Sequence, residues 1–302
     1  MRPPLPAGDA LVMRARLLVP ALALAVSACV GGPDLGSTHG DVIGGSRTPE
    51  GMFPGIGALY LPSFGGAMCT GTLIAPDVVL TAAHCVEPAF LGTEVPGFTL
   101  AHDTVVSQPA FVTGMRAVQH PVFDISSDPG VGIGTWYDIA LLFLTEPILD
   151  VEPVKLPSTA EGAMLVPGSQ LELVGYGQTI DGDPNSIGVM FNATAPLVMA
   201  GVAELQVSNP GDPQNCYGDS GGPALIDFGS GYRVVGVVSR SADGSDCTQG
   251  GVDTRVDAYL NFIAMEGPEI CVPGTDRCTP DAAPPMPDAG GPGVDGDGGG
   301  CC

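Results

Sequence analysis

Residues 215–225 read NCYGDSGGPAL. Ser220 stands between an acid and a pair of glycines, four residues after a cysteine. Such a stretch suits a tight turn, and with 45 Gly and 30 Pro in 302 residues the chain has turns to spare. Composition alone therefore favours an ordinary serine. Ser220 becomes a nucleophile only if the rest of the chain supplies a base, an acid to orient that base, and donors for an oxyanion.

The base candidate comes earlier. Residues 78–85 read VVLTAAHC, an apolar strand that ends in small residues and presents His84 beside Cys85. Cys69, in AMCTGTLIAP, begins the preceding strand, so a hairpin joining the two would let Cys69 and Cys85 meet and fix the backbone beside the imidazole. The acid candidate is Asp138 in YDIALLFL. A carboxylate entering a run of core-type residues needs a donor, and a His84 Nδ1–H would be one.

The segments TAAHC, DIALL and GDSGGP, in that order, resemble the three signature segments of the chymotrypsin/trypsin-like serine proteases, here in an exported bacterial setting. The resemblance covers residues 42–266. It implies a trypsin-like fold of two six-stranded antiparallel β-barrels with a C-terminal helix, and serine endopeptidase activity through an acyl-enzyme. His84, Asp138 and Ser220 would be the catalytic triad. The backbone N–H groups of Gly218 and Ser220 would form the oxyanion hole. Ser239 would line the site beside the aspartate, and Cys216 would pair with Cys247 to clamp the pocket walls. The new N-terminus of the activated family corresponds to Val42 in VIGG, whose amino group would pair with buried Asp219. Here Asp41 precedes Val42, where the family usually offers Arg or Lys, so an external activating protease is expected. The pocket-floor position, six residues before the nucleophile, is Gln214 rather than an acid. Asp253 stands close beneath it, where an aromatic is common, and could restore a taste for basic residues or bond to Gln214. Ser241 and Gly251 would line the pocket walls. Arg240 replaces an aromatic at the entrance and reads either as a solvated arginine or as a ligand for an acidic substrate residue.

The residues themselves establish only an all-β class. Short, often alternating apolar runs such as DVVLTAA, LELVGYG and YRVVGVVS are broken by Gly, Pro and Asp. One helical pattern appears, VDAYLNFIAM, with Val256, Leu260 and Ile263 on a single face. Net charge is −23 with a single lysine, Lys155, which excludes a phosphate-neutralising surface and hence nucleic acid as a partner. DGDPNS at 181–186 lacks the glycine and distal glutamate of a calcium loop and reads as a turn. No metal and no cofactor are expected.

Beyond the central region the chain reads as processing and tethering sequence. From Met13, the expected true start, a basic n-region and a short apolar stretch lead to VSAC, which resembles a bacterial lipobox ending in Cys29. Residues 1–28 are thus expected as a signal peptide and 29–41 as spacer or propeptide. Residues 267–302 are expected as a Cys271–Cys278 loop followed by a disordered Gly/Pro/Asp-rich tail ending in GGGCC. Nine cysteines leave one for lipid after pairing. The protein would be exported, as an outer-membrane, periplasmic or surface lipoprotein or a secreted form, touching membrane only through its lipid anchor. Its partners would be protein or peptide substrates and an activating protease. The rival readings are a zymogen-like pseudoprotease that binds through the same fold, and a structural surface lipoprotein.

Overall fold

The computed structural model describes residues 42–105, 109–244 and 246–275. The expected signal peptide, lipidated Cys29, the whole of the spacer, Cys278 of the Cys271–Cys278 loop and the tail lie outside the described residues.

Thirteen strands make two antiparallel sheets. β1 (Ser46–Arg47) precedes β2 (Ile56–Leu61), β3 (Gly66–Ala75), β4 (Val78–Thr81), β5 (Gly97–Thr99), β6 (Gly114–Gln119) and β7 (Ala140–Leu144). Then follow β8 (Gln170–Gly175), β9 (Phe191–Ala200), β10 (Glu204–Val207), β11 (Pro223–Asp227), β12 (Tyr232–Ser241) and β13 (Gly251–Arg255). The three runs singled out in the sequence became β4, β8 and β12.

The N-terminal sheet runs β5-β2-β3-β4-β7-β6. β5 and β6 are not paired; β5 bridges instead to the segment before β6, where Phe98 and Val112 exchange backbone hydrogen bonds of 2.8 and 2.9 Å. The C-terminal sheet closes fully, because β8 pairs with both β11 and β9, and β1 is appended outside on β9. Closure removes the open edges that an isolated sheet would present to other chains. Leu171, Leu173, Ala195, Leu197, Leu205 and Val235 fill the closed barrel. A larger cluster fills the first sheet and continues under the C-terminal segment, where Val256, Leu260 and Ile263 are all buried. The helical pattern splits physically into a 3-10 turn, Val256–Tyr259, and an α-helix, Leu260–Glu266. No helix among the described residues is long and apolar enough to cross a membrane.

Candidate active site

The candidate base, His84, is placed by the end of β4. After Thr81 the chain passes through Ala82 and Ala83, both fully buried, and turns in a 3-10 segment, His84–Val86. The hairpin β3–β4 brings Cys69 and Cys85 together in a disulfide with Cα atoms 6.2 Å apart. That crosslink fixes the backbone on which His84 stands.

The candidate orienting acid, Asp138, is placed just before β7. Tyr137 adopts a left-handed φ of 61°, and the chain after it turns Asp138 inward before entering the buried strand. Asp138 is fully buried yet fully served. Its Oδ1 accepts from the His84 backbone N–H at 2.9 Å, and its Oδ2 accepts from His84 Nδ1 at 2.7 Å. Ser239 Oγ donates to the same Oδ2 at 2.6 Å, and Thr254 Oγ1 donates to the Asp138 carbonyl at 2.8 Å. Ser239 reaches it because of a bulge. Val238 pairs with Asp253 and Arg240 with Val252, so Ser239 is the extra residue of β12 and is re-aimed at the acid.

These contacts set the electrostatics. Burial pulls the His84 pKa down, but the Asp138 charge and hydrogen bond, with Asp128 behind them, outweigh it and hold the imidazole above its ordinary value. Burial pushes Asp138 up, and the His84 charge with the bonds from His84 and Ser239 more than reverse this. With Nδ1–H committed to Asp138, Nε2 is left as the basic atom.

Ser220 faces the same cleft of about 640 Å³ as His84. Its loop is shaped by two left-handed glycines, Gly218 at φ 99° and Gly221 at φ 80°. A side chain at Gly218 would also drive a Cβ to 2.9 Å from the Gly177 Cα. Glycine is required there on both counts. Asp219, between them, is turned away from the cleft into a fully buried cradle, where Oδ1 accepts from Gly177 N and Oδ2 from Cys216 N, each at 2.8 Å. Burial pushes its carboxyl up to about 7 even against those two amide bonds. Val42 is buried as well, and Ile43 accepts a backbone hydrogen bond from Gln214 N at 2.9 Å, an isolated bridge that sets the Val42 segment beside the connection leading to Ser220.

The pocket residues separate into two groups. Ser239 and Ser241 line the cleft, and Cys216 and Cys247 form the disulfide of its wall. The position a Gly251 side chain would occupy lies 4.0 Å from Asn215 Nδ2. Gln214 is buried and spent on structure. Its Oε1 accepts from Gly250 N, and its Nε2 donates to Thr248 O at 2.8 Å and Asn209 O at 3.2 Å. Asp253 lies opposite Val238 and is wholly buried, with both carboxylate oxygens unpartnered among the described residues. It is not bonded to Gln214.

Four contributors were not legible in the sequence. Arg240 is neither solvated nor facing outward. Its side chain is 8% exposed and grips buried Glu204 with two bonds of 3.0 and 2.9 Å, while Nη2 also donates to Gly132 O. Trp136 lies nearly parallel to the His84 ring, centroids 6.5 Å apart, and the Arg240 guanidinium carbon lies 5.7 Å from the centroid of the Trp136 ring. Asn215 presents a buried amide with no partner among the described residues. Thr70 touches the Ser220 loop from the other sheet. Among the described residues two groups of side chains cluster closely enough for a metal, Cys69/His84/Cys85 and Asp181/Cys216/Cys247, but all four cysteines are oxidised and poor ligands, which leaves one ordinary ligand in each. Asp183, in the segment read as a turn, caps a 3-10 turn by accepting from Asn185 N at 2.9 Å.

Comparisons with known proteins agree with this geometry. The Trypsin family profile matches residues 42–263. A trypsin of Phaedon cochleariae is 30% identical over 215 residues, covering 66% of this chain and 78% of its own. Chymotrypsin-like elastase family member 1 of Canis lupus familiaris is 31% identical over 251 residues, covering 76% and 93%. The solved structure of neuropsin, a serine protease expressed in the limbic system of mouse brain, superposes with a TM-score of 0.61 at 21% identity, covering 74% of this chain and 98% of that one. The fold, the ordered signature segments and the profile match converge on one conclusion: this chain belongs to the trypsin family of serine endopeptidases.

Proposed function

We propose that the protein cleaves peptide bonds through an acyl-enzyme formed on Ser220. The observation that carries this reading is the His84–Asp138 pair, bonded at 2.7 Å and opening onto the cleft that holds Ser220. His84 Nε2 takes the Ser220 Oγ proton as the oxygen attacks the substrate carbonyl, then returns a proton to the leaving amine. Water repeats the sequence to release the acid. Asp138 keeps the proton on Nδ1 and stabilises the imidazolium that forms. The N–H groups of Gly218 and Ser220 receive the oxyanion; losing one such donor costs about 3–4 kcal/mol of transition-state stabilisation.

Activation follows from the buried acid. Among the described residues Asp219 has two amide partners and no cation, and burial raises its pKa by desolvating the charged form. An amino group freed at Val42 would neutralise it. Asp41 before that bond calls for a protease other than a basic-specific one. Behind the specificity pocket Gln214 is neutral and tied to backbone groups, and Asn215, which lines the cleft, is neutral as well, which favours an uncharged substrate side chain. Export as a lipoprotein through Cys29 rests on the sequence of the leader, and the two disulfides suit an oxidising compartment.

Fluorophosphonate labelling of the protein beginning at Val42, beside Ser220→Ala, tests the catalytic reading. Labelling that vanishes in the variant supports it. Folded protein that labels in neither form sinks it and leaves a binding protein on a protease fold.

A further inference from the structure

Thr70 is a fully buried residue of β3 and belongs to the N-terminal sheet, yet it makes four contacts around the Ser220 loop. Its hydroxyl donates to the Gly218 carbonyl at 2.9 Å and accepts from Tyr176 N at 3.1 Å. Its backbone N–H donates to the Ser220 carbonyl at 2.8 Å. Its methyl faces Gly222, where a Cβ would come within 2.9 Å of Thr70 Cγ2. Tyr176 adjoins Gly177, whose N–H holds Asp219. Thr70 is anchored in turn, since its carbonyl accepts from Thr81 Oγ1 at 3.0 Å.

The consequence is geometric. Gly218 at φ 99° has no side chain to restrict it, and a glycine torsion is soft in both directions. A donor aimed at developing charge is useful only if it is already in place, because reorganisation during the reaction would consume the stabilisation. Gly218 O and Ser220 O are both tied to Thr70, and the Tyr217 and Asp219 carbonyls, which share peptide planes with the two donors, accept from Gln178 N at 2.7 Å and Gly222 N at 2.8 Å, so turning either donor away strains or breaks a hydrogen bond of this set. We propose that Thr70 is a positioning residue for the oxyanion hole, its hydroxyl latching the Gly218 carbonyl from the opposite sheet. This rests on the reading of Ser220 as the nucleophile.

The test compares fluorophosphonate labelling rates for the unsubstituted chain, Thr70→Val, Thr70→Ala and Thr70→Ser, in whichever form, full-length or processed, Ser220 labels. Removing the hydroxyl leaves the part-buried Gly218 carbonyl and the buried Tyr176 amide without this partner, and about ten- to hundredfold slower labelling is expected in the Val and Ala variants. Ser restores the hydroxyl and should label within about threefold of the parent. The pH midpoint of labelling, set by His84, should stay fixed in all four, which separates a displaced oxyanion donor from a displaced base. A parental rate in either folded hydroxyl-free variant overturns the proposal. So does a Ser variant as slow as Val, or a Ser variant slowed tenfold when neither of the others folds. An unsubstituted chain that does not label overturns the catalytic reading instead.

Discussion

Asp253→Asn should stabilise the protein at alkaline pH and do little in acid. Asp253 sits on β13 facing Gly236, whose missing side chain leaves the room the carboxylate occupies; a Cβ there would lie 2.8 Å from Oδ2. Both oxygens lack partners, and burial pushes the carboxyl from an ordinary 3.8 up to about 7. Between those values the folded protein holds a proton that the unfolded chain has released. The unfolded state binds fewer protons, so stability falls as pH rises through this window. Three pH units at about 1.4 kcal/mol each put the full penalty near 4 kcal/mol, to order of magnitude, once the group is ionised above pH 7. Asp219 is shifted the same way, so the pH profile of one protein does not isolate Asp253. The difference between parent and variant does. Urea unfolding in a Ser220→Ala background, which prevents self-digestion, should show the variant gaining several kcal/mol relative to the parent between pH 4 and pH 8.5. The unpaired asparagine amide adds a constant offset at every pH and leaves that trend intact. Parallel stability curves for the two proteins would refute the reasoning and show that the carboxylate is neutralised in place.

Asp138→Asn should lower the labelling or hydrolysis rate by about 10⁴-fold, because Nδ1 then loses its acceptor and the wrong tautomer is favoured. In the parent the rate should rise with pH through a midpoint above the ordinary histidine value, since the base must be unprotonated and its pKa is raised; a midpoint below that value would count against the Asp138 contact. Arg240→Ala should destabilise the fold by about 3 kcal/mol in thermal or urea melts, because Glu204, 1% exposed, is left as an unpaired buried charge. Gly218→Ala should abolish labelling while the protein still folds, since the φ of 99° and the 2.9 Å approach to Gly177 both exclude a side chain.

The all-β class and the segments that carry the site were legible because both are local. Alternation along VVLT, LELVG and YRVVGVV reports which face of a strand is buried, and it needs no knowledge of partners. The three signature segments place a base, an acid and a serine with their own flanking turns. Val256, Leu260 and Ile263 likewise announced a helix face from spacing alone, although its first turn closed as a 3-10 segment.

What tertiary structure decided was the use of polar side chains whose partners are distant in the chain. Gln214, expected at the pocket floor, holds the Asn209 and Thr248 carbonyls with its amide. Arg240 looked like a surface or substrate-facing cation and is locked to Glu204, 36 residues away. Thr70 gave no signal at all, since its hydroxyl partners lie 106 and 148 residues further on. Asp253 could have bonded to Gln214, and only the register of β12 against β13 set it opposite Val238 instead. The physical reason is common to all four. A side chain's period tells which way it points, but its hydrogen bond depends on which strand the closing sheets bring to meet it.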